Sequence, residues 1–199
     1  MSIDVGTGDG QAVLRRASAA PGTLVIGLDA VAEAMADASR RAARAARKGG
    51  LPNACFVVAA AERLPPELRG LADEVTVHFP WGSLLLGMLR QPETPQPWPE
   101  ADASPIATEL VGLLQPGGRL EVLIAVHERD RVGTTITEAP SLIQATFERV
   151  GLQTLEATPI GPAEVRSSGS SWARRLGAGT ADRPTWRLRF GRSRGRPRG

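Results

Sequence analysis

Asp4-Val5-Gly6-Thr7-Gly8-Asp9-Gly10 closes a short apolar segment and opens a helical one that runs to Ala19. Glycines at such a junction allow a tight turn and let a ligand come close to the backbone. A strand, a glycine turn and a helix in that order form the first unit of a nucleotide-binding α/β sheet. Outward from it, apolar runs ending in glycine or aspartate alternate with longer alanine- and leucine-rich segments, as strands and helices do around a largely parallel sheet. The strands read as 3–5, 24–28, 54–59, 74–79, 119–127, 153–160 and 185–190, and the helices as 10–19, 31–48, 81–90, 105–114 and 140–150. Pro140 suits a first helical turn and Gly151 a position just past a helix end. The proline-rich segment 91–105 reads as an irregular loop. The last two strands lack an intervening helix and are joined by a glycine- and serine-containing segment, 161–181, so the sheet ends in an antiparallel pair. Residues 1–190 form one domain and 191–199 a basic, disordered tail.

A glycine turn alone does not name its ligand, because nicotinamide and flavin enzymes use one too. The charges narrow the choice. Asp4 and Asp9 flank the turn, where they would repel a pyrophosphate but suit a cofactor with a sulfonium cation and an amino-acid end. Asp29 ends the second strand, from which a carboxylate can accept from both ribose hydroxyls. Ala59-Ala60-Ala61-Glu62 follows the third strand; its small residues leave room for a flat adenine, and its carboxylate can accept a hydrogen bond from the adenine amino group. The structural alternative is that Asp29 and Glu62 cap the helices that follow.

Two tryptophans stand out among the four in the chain, which has no tyrosine. Trp81 lies in Phe79-Pro80-Trp81-Gly82-Ser83-Leu84-Leu85, at the sheet edge where ligands bind in such folds. Trp172 lies in the polar loop stretch Ser167-Ser168-Gly169-Ser170-Ser171-Trp172-Ala173-Arg174-Arg175-Leu176. Two indoles can clamp a base that has left its stack. Methylation at adenine N1 leaves the ring cationic, and π-faces on either side stabilise that charge. N1 already carries an in-plane lone pair, so catalysis can be mainly alignment. The alternatives are a core anchor for Trp81 and a loop staple for Trp172. Trp98 and Trp186 receive structural roles, in a loop and in the final strand.

The formal net charge of +3 conceals two arginine clusters. Arg40, Arg41, Arg44, Arg47 and Lys48 recur at helical spacing; Arg187, Arg189, Arg192, Arg194, Arg196 and Arg198 crowd the C-terminus. Both suit a polyphosphate partner or, equally, solvated faces. Cys55, the single cysteine, excludes an internal disulfide and reads as a small buried residue. His78 and His127 are too few and too isolated for a metal site. No apolar run is long enough for a bilayer, and the N-terminal residues resemble no signal peptide, so the expected location is the cytoplasm.

A mostly parallel sheet finishing in an antiparallel pair is the class I methyltransferase, Rossmann-like architecture. The motifs already quoted, together with Gly27-Leu28-Asp29-Ala30, Leu51-Pro52-Asn53 and Ala60-Ala61-Glu62-Arg63-Leu64-Pro65, resemble the kanamycin–apramycin type of aminoglycoside-resistance 16S rRNA (adenine N1) methyltransferases. The resemblance spans nearly the whole chain. It implies S-adenosyl-L-methionine as cofactor, held by Asp4, Gly6, Gly8, Asp29, Ala60, Glu62, Ser83 and Ser170. It implies that Trp81 and Trp172 sandwich the flipped adenine, that Arg40 and Arg41 meet rRNA phosphates, and that Arg175 lies near the target base. The implied partner is 16S rRNA within the small ribosomal subunit, approached by a monomer. Two features depart from the family: only three residues precede Asp4, where relatives carry a hairpin and a fuller first strand, and His78 stands where the family is usually apolar. The rival readings are a methyltransferase-like RNA-binding protein without activity, a small-molecule methyltransferase, and a nicotinamide oxidoreductase, the last disfavoured by the aspartates in the turn.

Overall fold

The computed structural model describes residues 1–89, 104–127 and 130–194. Its centre is β1 (Ser2–Val5), four buried residues that pair in parallel with β2 (Val25–Asp29) on one side and β4 (Ala72–His78) on the other. Beyond β2 lies β3 (Ala54–Val58), an edge strand; beyond β4 come β5 (Leu114–Ile124), β7 (Thr185–Arg192) and β6 (Leu152–Ile160), in the order β3-β2-β1-β4-β5-β7-β6. The chain leaves β1 toward β2 and returns on the other side as β4, so a crevice opens at their C-terminal ends, where ligands bind in open α/β sheets. β7 runs antiparallel to both neighbours.

One face of the sheet carries the main core. Ile3, Val75, Val77, Leu120 and Val122 pack with Met88 of α3 (Gly82–Met88), Leu110 of α4 (Pro105–Leu113), and Ile143 and Phe147 of α5 (Ala139–Arg149). Ile143 and Phe147 are four residues apart, one helical turn, so a single stripe of α5 is buried. Ser104 caps α4, its Oγ accepting from Ala107 N–H at 3.3 Å and donating to the Gly87 carbonyl at 2.6 Å, which ties α4 to α3. The other face is covered by α1 (Gln11–Ala19) and α2 (Ala32–Ala42), which share small clusters with Phe56 and Leu51. Gly10, at φ 68, begins α1 where a Cβ would lie 2.5 Å from the Phe56 ring, so only glycine lets the turn sit this close to β3.

Five expectations need correction. The helix expected over 31–48 ends at Ala42, because the chain doubles back and the Leu51 N–H donates to the Ala42 carbonyl at 2.9 Å while Leu51 packs against α2; Arg44, Arg47 and Lys48 therefore lie on an exposed turn. The segment 161–181 is not free of helix: it holds α6 (Pro162–Ser167) and α7 (Ser171–Leu176). Pro162 and the Glu164 carboxylate, which accepts from Gly161 N–H, start α6, and Gly177 at φ 64 stops α7. The antiparallel pair remains. Cys55 is exposed rather than buried, since Phe56 takes the helix-covered face of edge strand β3 and Cys55 the opposite one. β5 begins at Leu114, which pairs with Ala72, and ends at Ile124, not over 119–127. β7 continues to Arg192, paired with Leu152, two residues into the segment read as a tail. Residues 90–103, with Trp98 and most of the loop expected there, lie outside the described residues, as do 195–199.

Candidate active site

The site is assembled where β1, β2 and β4 end. Asp4 is the penultimate residue of β1; it is buried and accepts from Thr76 Oγ1 of the adjacent β4 residue at 2.7 Å. The turn then runs through Gly6 and Gly8 at φ 74 and 58, a conformation glycine adopts without strain. Gly8 N–H donates to Asp29 Oδ2 at 2.8 Å, and Val31 N–H donates to Asp29 Oδ1 at 2.9 Å. Asp29 thus anchors both the glycine turn and the approach to α2 while remaining half-exposed at the end of β2. A carboxylate oxygen accepts more than one hydrogen bond, so this anchoring is compatible with contacts to a ligand.

Ala60 and Glu62 follow β3 and are exposed on the same sheet edge. Among the described residues the Glu62 carboxylate takes part in no hydrogen bond or ion pair, so it does not cap a helix. Its loop is held from behind: Leu64 N–H donates to Glu109 Oε2 at 3.0 Å, and Arg69 pairs closely with the same carboxylate.

A small pocket brings together Asp4, Gly6, Thr7, Asp9, His78 and Ser170. Ser170 reaches it from the N-cap of α7, an approach across more than 160 residues of sequence that no local pattern reveals. Thr7 Oγ1 and His78 Nδ1 are both buried there without a partner among the described residues. Two acidic side chains and two unsatisfied buried polar atoms fit the amino-acid and sulfonium end of S-adenosylmethionine and do not fit a pyrophosphate. Ser83, in the first turn of α3, is exposed and outside this pocket; its neighbour Leu84 packs against Gly6 instead.

Both tryptophans stand at this edge. Trp81 precedes α3 and is 51% exposed. It follows Phe79, whose φ of 55 is strained for a residue before proline and turns the chain out of the sheet. Trp172 is on a helix, α7, not in a loop, and is half-buried against a cluster of Phe79, Val165 and Ala173. The Nε1 edge of its indole lies against the cofactor turn: a Cβ at Gly8 would sit 3.0 Å from Trp172 Nε1. Arg175, one helical turn on, lies 5.3 Å from the Trp172 ring, a cation–π distance.

The arginines divide. Arg40 and Arg41 are exposed on α2, where Arg40 pairs with Asp37 and Arg41 donates to Gln11 Oε1 at 3.0 Å. Arg187 and Arg189 are engaged within the sheet. Glu121 and Arg189 face each other across β5 and β7, as do Glu156 and Arg189 across β6 and β7. Arg189 Nε donates to Glu121 at 2.8 Å and its Nη1 to Glu156 at 3.0 Å, while Arg187 reaches Glu164 of α6 at 3.0 Å. Arg192 donates to the Val111 and Leu114 carbonyls. These three arginines therefore serve the fold. Glu121 also accepts from His78 Nε2 at 3.0 Å. Burial alone would raise the Glu121 carboxyl, but His78 and Arg189 outweigh it and hold the group at about 2. Neither Thr76, His78 nor Glu121 carries a motif; strand register alone places them beside the turn. Among the described residues there is no cluster of acids, histidines and cysteines suited to a metal, and no helix long and apolar enough to cross a membrane.

A family model described as NpmA, 16S rRNA (adenine(1408)-N(1))-methyltransferase, matches residues 1–190. The chain belongs to the NpmA family. Curated relatives carry that methyltransferase name. The one from Streptoalloteichus hindustanus is 36% identical over 174 residues, 87% of this chain and 79% of its own length. The one from Escherichia coli is 47% identical over 83 residues, 42% of this chain and 38% of its own length. Among solved structures, a mutant of the 16S rRNA (adenine(1408)-N(1))-methyltransferase from Catenulisporales acidiphilia with cosubstrate SAM superposes at a TM-score of 0.80, with 31% identity, 100% of this chain and 87% of that one. The aminoglycoside resistance methyltransferase NpmB1 gives 0.72 at 36% identity, over 96% of this chain and 86% of that one. The NpmA-family assignment agrees with the sheet order, and S-adenosylmethionine is the cofactor it brings.

Proposed function

We propose that this chain transfers the methyl group of S-adenosylmethionine to N1 of the decoding-site adenine of 16S rRNA, acting as a monomer on the small ribosomal subunit in the cytoplasm and so conferring aminoglycoside resistance. The observation that carries the reading is the Trp172 indole beside Gly8, which brings an aromatic side chain to the turn where the cofactor's reactive end belongs.

In this reading Asp4, Gly6, Gly8 and Ser170 receive the amino-acid end, Asp29 the ribose, and Ala60 and Glu62 the adenine, with Ser83 at the rim. Bound S-adenosylmethionine supplies an electrophilic methyl on a sulfonium. Trp81 and Trp172 hold the extruded adenine between their rings and replace the stacking it has lost. The N1 lone pair forms the new carbon–nitrogen bond as the carbon–sulfur bond breaks, and its electron pair leaves with sulfur. The positive charge then sits on the adenine ring, where the two π-faces stabilise it. No general base is required. Arg40 and Arg41 meet backbone phosphates, and Arg175 steadies both Trp172 and the RNA beside it. A methylated, cationic adenine edge repels a polycationic aminoglycoside and removes an acceptor from its site.

The test is transfer of labelled methyl from S-adenosylmethionine to purified small ribosomal subunits, with the product mapped by primer extension. Arrest at the decoding-site adenine is the expected result. Cofactor binding without any transfer would favour the RNA-binding reading without activity.

A further inference from the structure

The pocket beside the cofactor turn holds a buried polar atom that nothing among the described residues satisfies. His78 is nine-tenths buried at the end of β4. Its Nε2 meets Glu121 Oε1 at 3.0 Å, and its Nδ1 is buried without a partner. Leaving a buried ring nitrogen unpaired is costly, so the geometry suits a group that arrives from outside.

Charge divides the pocket wall. Asp4 and Asp9 are its negative side chains, and His78 is the one residue of that wall able to carry positive charge. His78 also borders a cavity of about 800 Å³ between α1 and the α6–α7 segment, on whose wall six arginines, Arg15, Arg16, Arg166 and Arg174 among them, outnumber the carboxylates Glu121 and Glu164. Positive potential therefore lies on the His78 side of the pocket and negative potential on the turn side. An α-amino acid carries its ammonium and its carboxylate on one carbon, and this division orients it: ammonium toward Asp4 and Asp9, carboxylate toward His78.

We infer that His78 Nδ1–H donates to the carboxylate of the amino-acid end of S-adenosylmethionine, while Glu121 holds the ring from its other nitrogen. Each ring nitrogen then faces a carboxylate, one of the protein and one of the cofactor. Arg187 and Arg189 of β7 neutralise Glu121 from the far side, which keeps the arrangement from accumulating negative charge. The assignment rests on the cofactor reading given above and adds a carboxylate-binding residue to it.

Calorimetric binding to the full chain, its folding checked by circular dichroism, tests this with three probes: S-adenosylhomocysteine, its decarboxylated analogue, and 5′-methylthioadenosine. The wild-type protein should prefer S-adenosylhomocysteine over the decarboxylated analogue by about tenfold or more, as a charge-assisted hydrogen bond provides. His78→Leu should shrink that ratio to within about twofold and leave 5′-methylthioadenosine binding unchanged. Glu121→Gln, which keeps the ring but removes its counter-charge, should give an intermediate ratio. An undiminished ratio in folded His78→Leu overturns the assignment and leaves the cofactor reading intact. Failure of the wild type to bind any of the three probes overturns both.

Discussion

Trp172 leaves no room for a side chain at Gly8, and at the scale of single residues that closeness governs what the site can do. A side chain at Gly8 would meet the indole while its backbone sits at φ 58, so Gly8→Ala should both strain the turn and displace the ring. The tryptophans themselves are expected to act on the base. Stacking is worth roughly 1–3 kcal/mol per base, so Trp81→Ala and Trp172→Ala should each lower methyl transfer by about ten- to a hundredfold while S-adenosylhomocysteine binding by calorimetry stays within about threefold. Equal transfer rates in mutants and wild type would exclude the base clamp. Glu121 gives a prediction in pH. Its carboxyl is depressed from 4.5 to about 2 in the folded chain, so its stabilisation is complete above about pH 5 and is lost as pH falls through 2. The shift corresponds to on the order of 3 kcal/mol. Urea titrations should therefore show Glu121→Gln losing less stability than wild type between pH 6 and pH 2, by up to about that amount; parallel losses would show that the pairing does not drive the acid sensitivity.

At the scale of elements, the site depends on loops held from behind. Glu109 of α4 grips the loop after β3 through Leu64 N–H and Arg69, so it sets where Ala60 and Glu62 stand without facing the crevice. Glu109→Ala should raise the KM for S-adenosylmethionine by about three- to tenfold with little change in kcat, because binding in the ground state and the transition state is weakened alike. A fall in kcat at constant KM would place the effect elsewhere. The α6–α7 segment is held in the same manner. Glu164 starts α6 and pairs with Arg187 of β7, while Phe79, Val165 and Ala173 seat α7 on the sheet. Trp172 and Ser170 are thus carried by packed helices rather than by a free loop, which lowers the entropy lost on binding RNA.

At the scale of the molecule, charge is distributed by function. Arg187, Arg189 and Arg192 are committed to carboxylates and carbonyls inside the fold, whereas Arg40 and Arg41 remain exposed on α2. If both meet phosphates, Arg40→Ala/Arg41→Ala should weaken binding to small ribosomal subunits and reduce the slope of log K against log salt by about 2. Filter binding between 50 and 200 mM salt, concentrations across which such slopes are resolved, measures it; an unchanged slope would remove α2 from the interface.

The sequence by itself determined the α/β class, six of the seven strand positions to within a few residues, the glycine turn and the pair of tryptophan motifs. Those features are local: a glycine turn, a period of apolar residues and a rare aromatic in a polar stretch each record a short-range physical requirement. The start of β5 at Leu114, the end of α2 at Ala42 and the helices α6 and α7 were not legible, since each depends on a distant partner or on a cap weaker than the surrounding glycine and serine signal. The site divides in the same way. Asp4, Gly6 and Gly8 are read from one continuous stretch, but strand register alone sets Thr76 beside Asp4 and Arg189 opposite Glu121. Only the tertiary structure brought Trp172 beside Gly8 and left His78 Nδ1 buried without a partner among the described residues, because both follow from the packing of residues that no sequence period connects.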